Sequence, residues 1–181
     1  MNKKGDVWIS AILYFGIGIV VITIILAAGL PVINRLRDKN VIIQTKQVMH
    51  TIDDNIREVI REGPGSQRVV TINIKKGSFV IDQDIDGDGV GDNIVAWKYD
   101  NAKVLISEPG TPVPEGKLTV LTETAPVENT YNIQIYTDYN TLADIKKEGT
   151  STLSGLSDLV IRNDGSNDEG LIQITIAETN R

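Results

Sequence analysis

The sequence predicts an α+β protein in which a long N-terminal helix is packed on a β-rich antiparallel head. Three observations support this prediction. A run of 27 residues without a charge extends from Val7 to Ile33. Helical periodicity then continues to about residue 62, and the remainder, residues 66–181, consists of short β-rich runs. At about 1.5 Å rise per residue, the uncharged run is long enough to cross a bilayer as a helix.

The segment 34–62 is predicted to extend this helix in amphipathic form. Its apolar residues recur at helical spacing, so they form one stripe, and charged residues occupy the other face. The stripe contains Val41, Val48, Ile52, Ile56 and Val59, and the charged face contains Lys46, Asp53, Asp54, Arg57, Glu58 and Arg61. Gly63-Pro64-Gly65 is a strong termination signal. The stripe therefore predicts burial against the chain's own β head, and a short coiled-coil stalk is the alternative.

A soft spot is expected near the outer end of the apolar segment. Pro31 has no backbone N–H to donate, and Gly29 precedes it by two residues. Earlier in the run, Gly16 and Gly18 have no side chain, so neighbouring helices can approach closely there.

The head is predicted to be an antiparallel sandwich or a wrapped sheet, because β-rich runs recur about every ten residues without long helical interludes. The expected strands are 68–75, 78–82, 93–99, 103–107, 117–124, 130–137, 158–162 and 171–177. Turn signals separate them at Lys76-Gly77, Asp100-Asn101, Pro109-Gly110 and Asp164-Gly165. Residues 139–149 are expected to form a short helix or an exposed excursion, and residues 149–155 a loop.

Composition and charge exclude several classes of function. Residues 63–181 carry 10 basic and 18 acidic side chains, a net charge of -8, which argues against nucleic acid as a partner. The chain has no cysteine and a single histidine, His50, so a disulfide framework, a cysteine-based zinc site and a cysteine nucleophile are excluded. Without a recognisable catalytic constellation, we expect a protein that is not an enzyme.

The N-terminus carries a recognisable combination of residues. Asn2-Lys3-Lys4-Gly5 stands directly before the apolar run. This combination resembles the class III signal peptide of type IV prepilins, in particular archaeal ones. The resemblance implies a leader at residues 1–5, cleavage by a prepilin peptidase after Gly5, and a mature chain that starts at Asp6 and keeps residues 6–33 as its transmembrane and filament-core helix.

The pilin resemblance covers about the first 60 residues. It implies a lollipop plan, with a helix that is half bare and half packed on a β head, and identical or related pilin subunits as partners. One departure concerns bacterial pilins, which usually have Phe first and Glu fifth in the mature chain. Here these positions are Asp6 and Ser10, so the acidic group thought to set assembly register is missing.

Two other interpretations of the N-terminal segment remain open. A cleaved secretory signal would have an apolar region of about 7–15 residues, which is shorter than this run. A plain single-pass anchor would need neither the basic pair nor the glycine. Basic residues on both flanks, Lys3 and Lys4 before the run and Arg35 and Arg37 after it, leave the orientation undecided by charge.

An acidic loop at residues 82–92 is the strongest chemical motif of the head. Carboxylates alternate along it with glycines that permit a tight curl, and Ca²⁺ prefers six to eight such hard oxygen ligands. The expected ligands are Asp84, Asp86, Asp88, the carbonyl of Val90 and Asp92, with Asp82 and Asp100 as possible additional ones. The pattern resembles the D-x-D-x-D-G-x-x-D calcium loops of EF-hands, dockerins and thrombospondin type 3 repeats. Val95 replaces the usual acid at the twelfth position, and a metal-free acidic hairpin is the alternative.

These observations lead to one expectation about function and one alternative. The expected role is that of a structural subunit of a type IV pilus-like surface filament, used for adhesion or as a related appendage. Such a subunit is anchored in the membrane before assembly and extracellular afterwards. The alternative is a single-pass membrane-anchored calcium-binding interaction module that does not polymerise.

Overall fold

The computed structural model describes residues 3–82, 92–149, 152–168 and 170–179, and for residues 3–7 and 9 it describes the backbone alone. The chain divides into two compact units, Met1–Arg37 and Asp38–Arg181. The described residues form one helix, α1 (Lys3–Glu62), and eight strands. The strands are β1 (Gln67–Ile81), β2 (Ile94–Ala102), β3 (Val113–Glu115), β4 (Leu118–Thr124), β5 (Tyr131–Asp138), β6 (Ala143–Glu148), β7 (Thr152–Ser166) and β8 (Ile172–Thr179).

Helix α1 is continuous through both segments that the sequence distinguishes. It ends at Glu62, as predicted, and Gly63 and Gly65 follow with φ angles of 90° and 86°. These left-handed angles suit glycine because a residue with a Cβ is strained at a positive φ. Pro31 lies within the helix and Gly29 does not interrupt it, so a soft spot at these residues stays a prediction.

The described strands belong to one sheet with the order β3-β4-β5-β2-β1-β7-β8-β6. Neighbouring strands are antiparallel except β6 and β8, which pair in parallel. This arrangement confirms the predicted α+β class. Of the two predicted forms of the head, the structure has one sheet carrying the helix; two stacked sheets are not seen among the described strands.

The core of the head lies between the sheet and the second half of α1. Ile42, Met49, Ile52, Ile56 and Val59 are at most 2% exposed. They cluster with buried residues from both halves of the sheet, among them Phe79, Trp97, Ile135, Leu159, Ile161 and Ile174. Three predicted stripe residues, Ile52, Ile56 and Val59, are thus fully buried, whereas Val41 and Val48 lie at the margin of the core.

The predicted turn at Lys76-Gly77 is wrong, because β1 continues through it. The pairing of β1 with β7 shifts register between Ile74 and Phe79, so this site is a bulge within one long strand. The indole Nε1 of Trp97 donates to the carbonyl of Lys76 at 2.9 Å. Gly77 has a φ angle of 76°, and a Cβ there would lie 2.2 Å from the carbonyl oxygen of Lys98. Glycine is required here for a close approach inside the sheet.

Two further predicted turns also lie inside strands, one in β2 and one in β7. Strand β2 continues through the predicted Asp100-Asn101 turn to Ala102 with a register shift, and residues 103–107, predicted as a strand, are not one. Strand β7 likewise contains the predicted turn Asp164-Gly165. It also begins at Thr152, within the stretch predicted as a loop. Each site is a local irregularity that pairing with neighbouring strands accommodates.

Two edge strands escaped the sequence analysis. Strand β3 has only three residues, and β6 lies within the segment predicted as a short helix or an excursion. Strand β6 pairs in parallel with β8, and the side chain of Asn93 accepts a hydrogen bond from the N–H of Ile145 at 2.8 Å. Strands β4, β5 and β8 match their predictions within two residues.

Candidate functional site

The first half of α1 carries many exposed apolar side chains that its own unit does not cover. We call residues 3–37 the lower helix and residues 38–62 the upper helix. Large apolar side chains of the lower helix are 45–74% exposed. They include Trp8, Ile12, Leu13, Tyr14, Phe15, Ile17, Ile19, Val20, Val21, Ile22, Ile24, Ile25, Leu26, Leu30, Val32, Ile33 and Leu36. The helix is long and apolar enough to cross a membrane, and none of its most apolar window is buried inside the protein.

The lower helix exposes apolar side chains on all sides, a pattern typical of a helix surrounded by lipid or by other helices. Its polar Thr23 hydroxyl donates to the carbonyl of Ile19 at 2.8 Å, so this group does not need water. At Gly16, Gly18 and Gly29, a Cβ would meet no atom within 4 Å. These glycines therefore offer places where another helix can approach.

Besides exposed ion pairs such as Lys46–Glu115, three sets of polar contacts between the upper helix and the head are centred on buried residues, and the first is at Asp38. This carboxylate is 3% exposed. One oxygen accepts from Lys76 Nζ at 2.9 Å and from the Tyr99 hydroxyl at 2.7 Å, and the other accepts from the N–H of Lys103 at 2.8 Å. Burial alone would raise the pKa of Asp38, but these three hydrogen bonds and the Lys76 charge bring it below its ordinary value.

The second set is at Asp53, which is 1% exposed. Its carboxylate accepts from the Tyr139 hydroxyl at 3.0 Å and from Arg57 Nε at 2.9 Å, and Lys117 Nζ lies 3.3 Å away. Burial and the adjacent carboxylate raise the pKa of Tyr139 far above its ordinary value, so this phenol stays a donor. Further along, the third set links the carbonyl of Val59 to Asn163 Nδ2 at 3.1 Å and to Ser66 Oγ at 2.8 Å.

These contacts were largely missed by the sequence analysis. The prediction that Asp53 lies on the charged outer face is wrong, because the residue faces the sheet and is paired there. Asp38 carried no sequence signal beyond being an acid among basic residues. By contrast, His50 is exposed.

The acidic loop is described only at its two ends. Asp84, Asp86, Asp88 and Val90 lie outside the described residues, so their proposed role is untouched by the structure. Asp82 and Asp92 stand on the segments that enter and leave the loop, where β1 and β2 pair through Ile81 and Val95.

Asp82 and its neighbours organise the loop entrance. Asp82 and Asn93 both have φ angles of 53°, and the Asp82 carboxylate accepts from the N–H of Asn93 at 3.2 Å. Asn93 Nδ2 donates to Asn140 Oδ1 at 3.0 Å. Asp100 instead lies six residues beyond Ile94 along β2, about 20 Å away at ordinary strand rise. The structure thus brings Asp82 and Asp92 to the loop and does not bring Asp100 there.

Among the described residues, no group of three or more potential metal-ligating side chains converges on one point. The residues predicted for processing, Lys3, Lys4, Gly5 and Asp6, are helical in the backbone, and their side chains lie outside the description.

Comparison with known proteins gives no relative from which a role can be taken. No protein-family model, curated protein or solved structure matches this chain.

Proposed function

We propose that the protein is a structural subunit of a type IV pilus-like surface filament, anchored and assembled through its lower helix. The observation that carries this proposal is the exposure of apolar side chains on all sides of the lower helix within a chain that also has a well-packed head. In water, such a surface would be strongly unfavourable. It requires first a bilayer and then, in the proposed filament, the lower helices of other copies.

The difference between the buried upper helix and the exposed lower helix supports this proposal. The upper helix is committed to the head by the buried stripe and by Asp38, Asp53 and Val59. The lower helix keeps its large apolar side chains available, and Gly16 and Gly18 permit close helix packing. A filament built in this way would have the lower helices as its core and the heads outside.

The proposed maturation step is cleavage after Gly5 by a prepilin peptidase, which would leave Asp6 as the first residue. Because Ser10 occupies the position where bacterial pilins carry Glu, assembly register in this filament would be set by contacts other than that carboxylate. Side-by-side packing at the helix glycines and contacts between heads are the remaining sources of register.

Calcium at residues 82–92 is the second part of the proposal. Its expected role is to brace the connection between β1 and β2, because five carboxylates within eleven residues repel one another without a cation. Support comes from the placement of Asp82 and Asp92 at the loop entrance, which the paired strands bring close together.

The deciding experiment is mass spectrometry of the N-terminus in a sheared cell-surface fraction and in membranes. The proposal expects chains that start at Asp6 in sheared filaments, and accumulation of uncleaved chains in membranes when Gly5 is replaced by Val. Gly16→Val serves as the matched control for glycine loss inside the helix, since it should leave cleavage intact. An intact Met1 found in membranes alone would overturn the proposal in favour of the non-polymerising anchored module.

A further inference from the structure

A ring of three cations follows directly after the apolar run. Arg35, Arg37 and Lys39 are exposed, and we call them the basic collar. Within the part of the chain that the structure describes, none of the three forms an ion pair. The collar begins two residues after Ile33, about 3 Å further along the helix axis.

Asp38, the acid closest to the collar in the sequence, is paired with residues of the head instead. Asp38 is the one carboxylate in the sequence from Arg35 to Lys39, yet both of its oxygens are occupied by Lys76, Tyr99 and the Lys103 N–H. Once the head has folded, this carboxylate faces the sheet and is 3% exposed. The collar therefore presents three positive charges that no acidic side chain of the described residues pairs with.

The spacing of the three collar cations favours binding of an external anion. Arg35 and Lys39 are four residues apart on one helix face, where like charges repel, and Arg37 lies on the other side. Long basic side chains at the end of a membrane helix extend along the apolar surface and place their charge at the level of the lipid headgroups. Phosphate groups at that level satisfy both the charge and the hydrogen-bond donors.

We infer that the basic collar binds the phosphate groups of anionic lipids in the bilayer that anchors the chain. The alternative partner, a carboxylate from the acidic head of a second copy, is less favoured because the collar adjoins the apolar run, which places it at the membrane surface. This inference does not depend on polymerisation, since the anchored chain needs the bilayer in either case.

The test is native mass spectrometry of the full chain in a neutral detergent, titrated with phosphatidylglycerol or with phosphatidylcholine. We expect a preference for phosphatidylglycerol that falls by about fivefold for each collar cation removed. The test variant is R35Q/R37Q/K39Q, and Lys3 and Lys4 are kept in every sample. The matched control is R61Q/K75Q/K147Q, which removes three exposed cations of the upper helix and the head that make no ion pair within the described residues.

Each outcome decides the inference. Loss of the phosphatidylglycerol preference in the collar variant, with the control unchanged and both heads folded by circular dichroism, supports it. An equal loss in both variants shows a non-specific charge effect and overturns it. A collar variant that keeps its lipid preference but loses self-association also overturns it, and identifies a second copy as the partner.

Discussion

The two halves of α1 have the same backbone conformation but opposite relations to their surroundings. In the upper helix, Ile56 and Val59 are completely buried under the sheet. In the lower helix, Ile22 is 59% exposed and Ile25 is 63% exposed. Similar apolar residues thus stabilise the fold in one half and remain exposed in the other.

This difference shows that helix formation and helix burial are separate properties of the sequence. The lower helix is apolar on all faces, whereas the upper helix has a buried stripe supplemented by Asp38 and Asp53. The buried polar contacts fix where the upper helix sits on the sheet, because each hydrogen bond requires a particular register. In the lower helix, the Thr23 hydroxyl instead donates to the carbonyl of Ile19 in the same helix.

The largest contrast is expected from the same substitution in each half. Ile56→Ala removes a fully buried side chain and should lower the free energy of unfolding of the head by about 2–5 kcal/mol. Ile22→Ala removes an exposed one and should change it by less than about 0.5 kcal/mol. Urea unfolding of the full chain in neutral detergent, followed by the fluorescence of the buried Trp97 in a Trp8→Phe background, measures both. Equal losses would mean that the two halves are not energetically distinct.

Calcium should act on the head and leave the lower helix unaffected. At a hundredfold excess over its dissociation constant, bound Ca²⁺ would stabilise the head by about 2.7 kcal/mol. Asp84→Ala combined with Asp88→Ala should abolish the drop in melting temperature on adding chelator. Glu123→Ala with Glu128→Ala, which removes two exposed acids of the head, is the charge-matched control. A chelator response that survives in the loop variant would rule out these ligands.

Asp53 and Asp54 allow a test of adjacent carboxylates in different environments. Asp53→Ala leaves the buried Tyr139 hydroxyl without its acceptor and should cost about 1–3 kcal/mol of head stability. Asp54 is exposed and contacts Lys117, so Asp54→Ala should cost much less than Asp53→Ala.

A double-mutant cycle with Tyr139→Phe identifies the source of the Asp53 effect. If the hydrogen bond accounts for it, Asp53→Ala should be less costly in a chain that already carries Tyr139→Phe. Strict additivity of the two substitutions would show that the carboxylate and the phenol act independently.

The sequence predicted those features that depend on local patterns. Helical spacing identified the buried Ile52, Ile56 and Val59, and Gly63-Pro64-Gly65 marked the end of α1. These signals are sufficient because the period of the apolar residues and the backbone preferences of glycine and proline act over a few residues. The α+β class followed from the same patterns.

The features that failed depend on residues far apart in the chain. Gly77 suits a turn as well as a bulge, and the choice is made by Trp97 and Lys98, which pack against it from β2. Asp53 was expected to face solvent because its partner, Tyr139, is 86 residues away. For the loop ligands Asp84, Asp86 and Asp88, and for the processing residues, the sequence pattern remains the sole basis of the proposal.

The smallest expected effect is the pH dependence of head stability that comes from Asp38, the first residue of the upper helix. Because the folded state lowers the pKa of Asp38, its carboxylate stabilises the head above the unfolded-state value of about 3.9. This contribution is lost as the pH falls through the lower, folded-state pKa. Asp38→Asn keeps an acceptor for the Lys103 N–H but loses the charge, and should cost about 1 kcal/mol at pH 6.

The pH profile separates this charge effect from a simple packing defect. At pH 6 the wild-type head should be more stable than Asp38→Asn. The difference should shrink as the pH falls below about 4, because the unfolded wild-type chain then binds a proton at this carboxylate before the folded chain does. Urea unfolding of both chains at pH 6, 4 and 3 measures this convergence. A difference that stays constant over this range would show that Asp38 holds the upper helix through shape and neutral hydrogen bonds. In that case the negative charge of Asp38 would contribute nothing to holding the upper helix on the sheet.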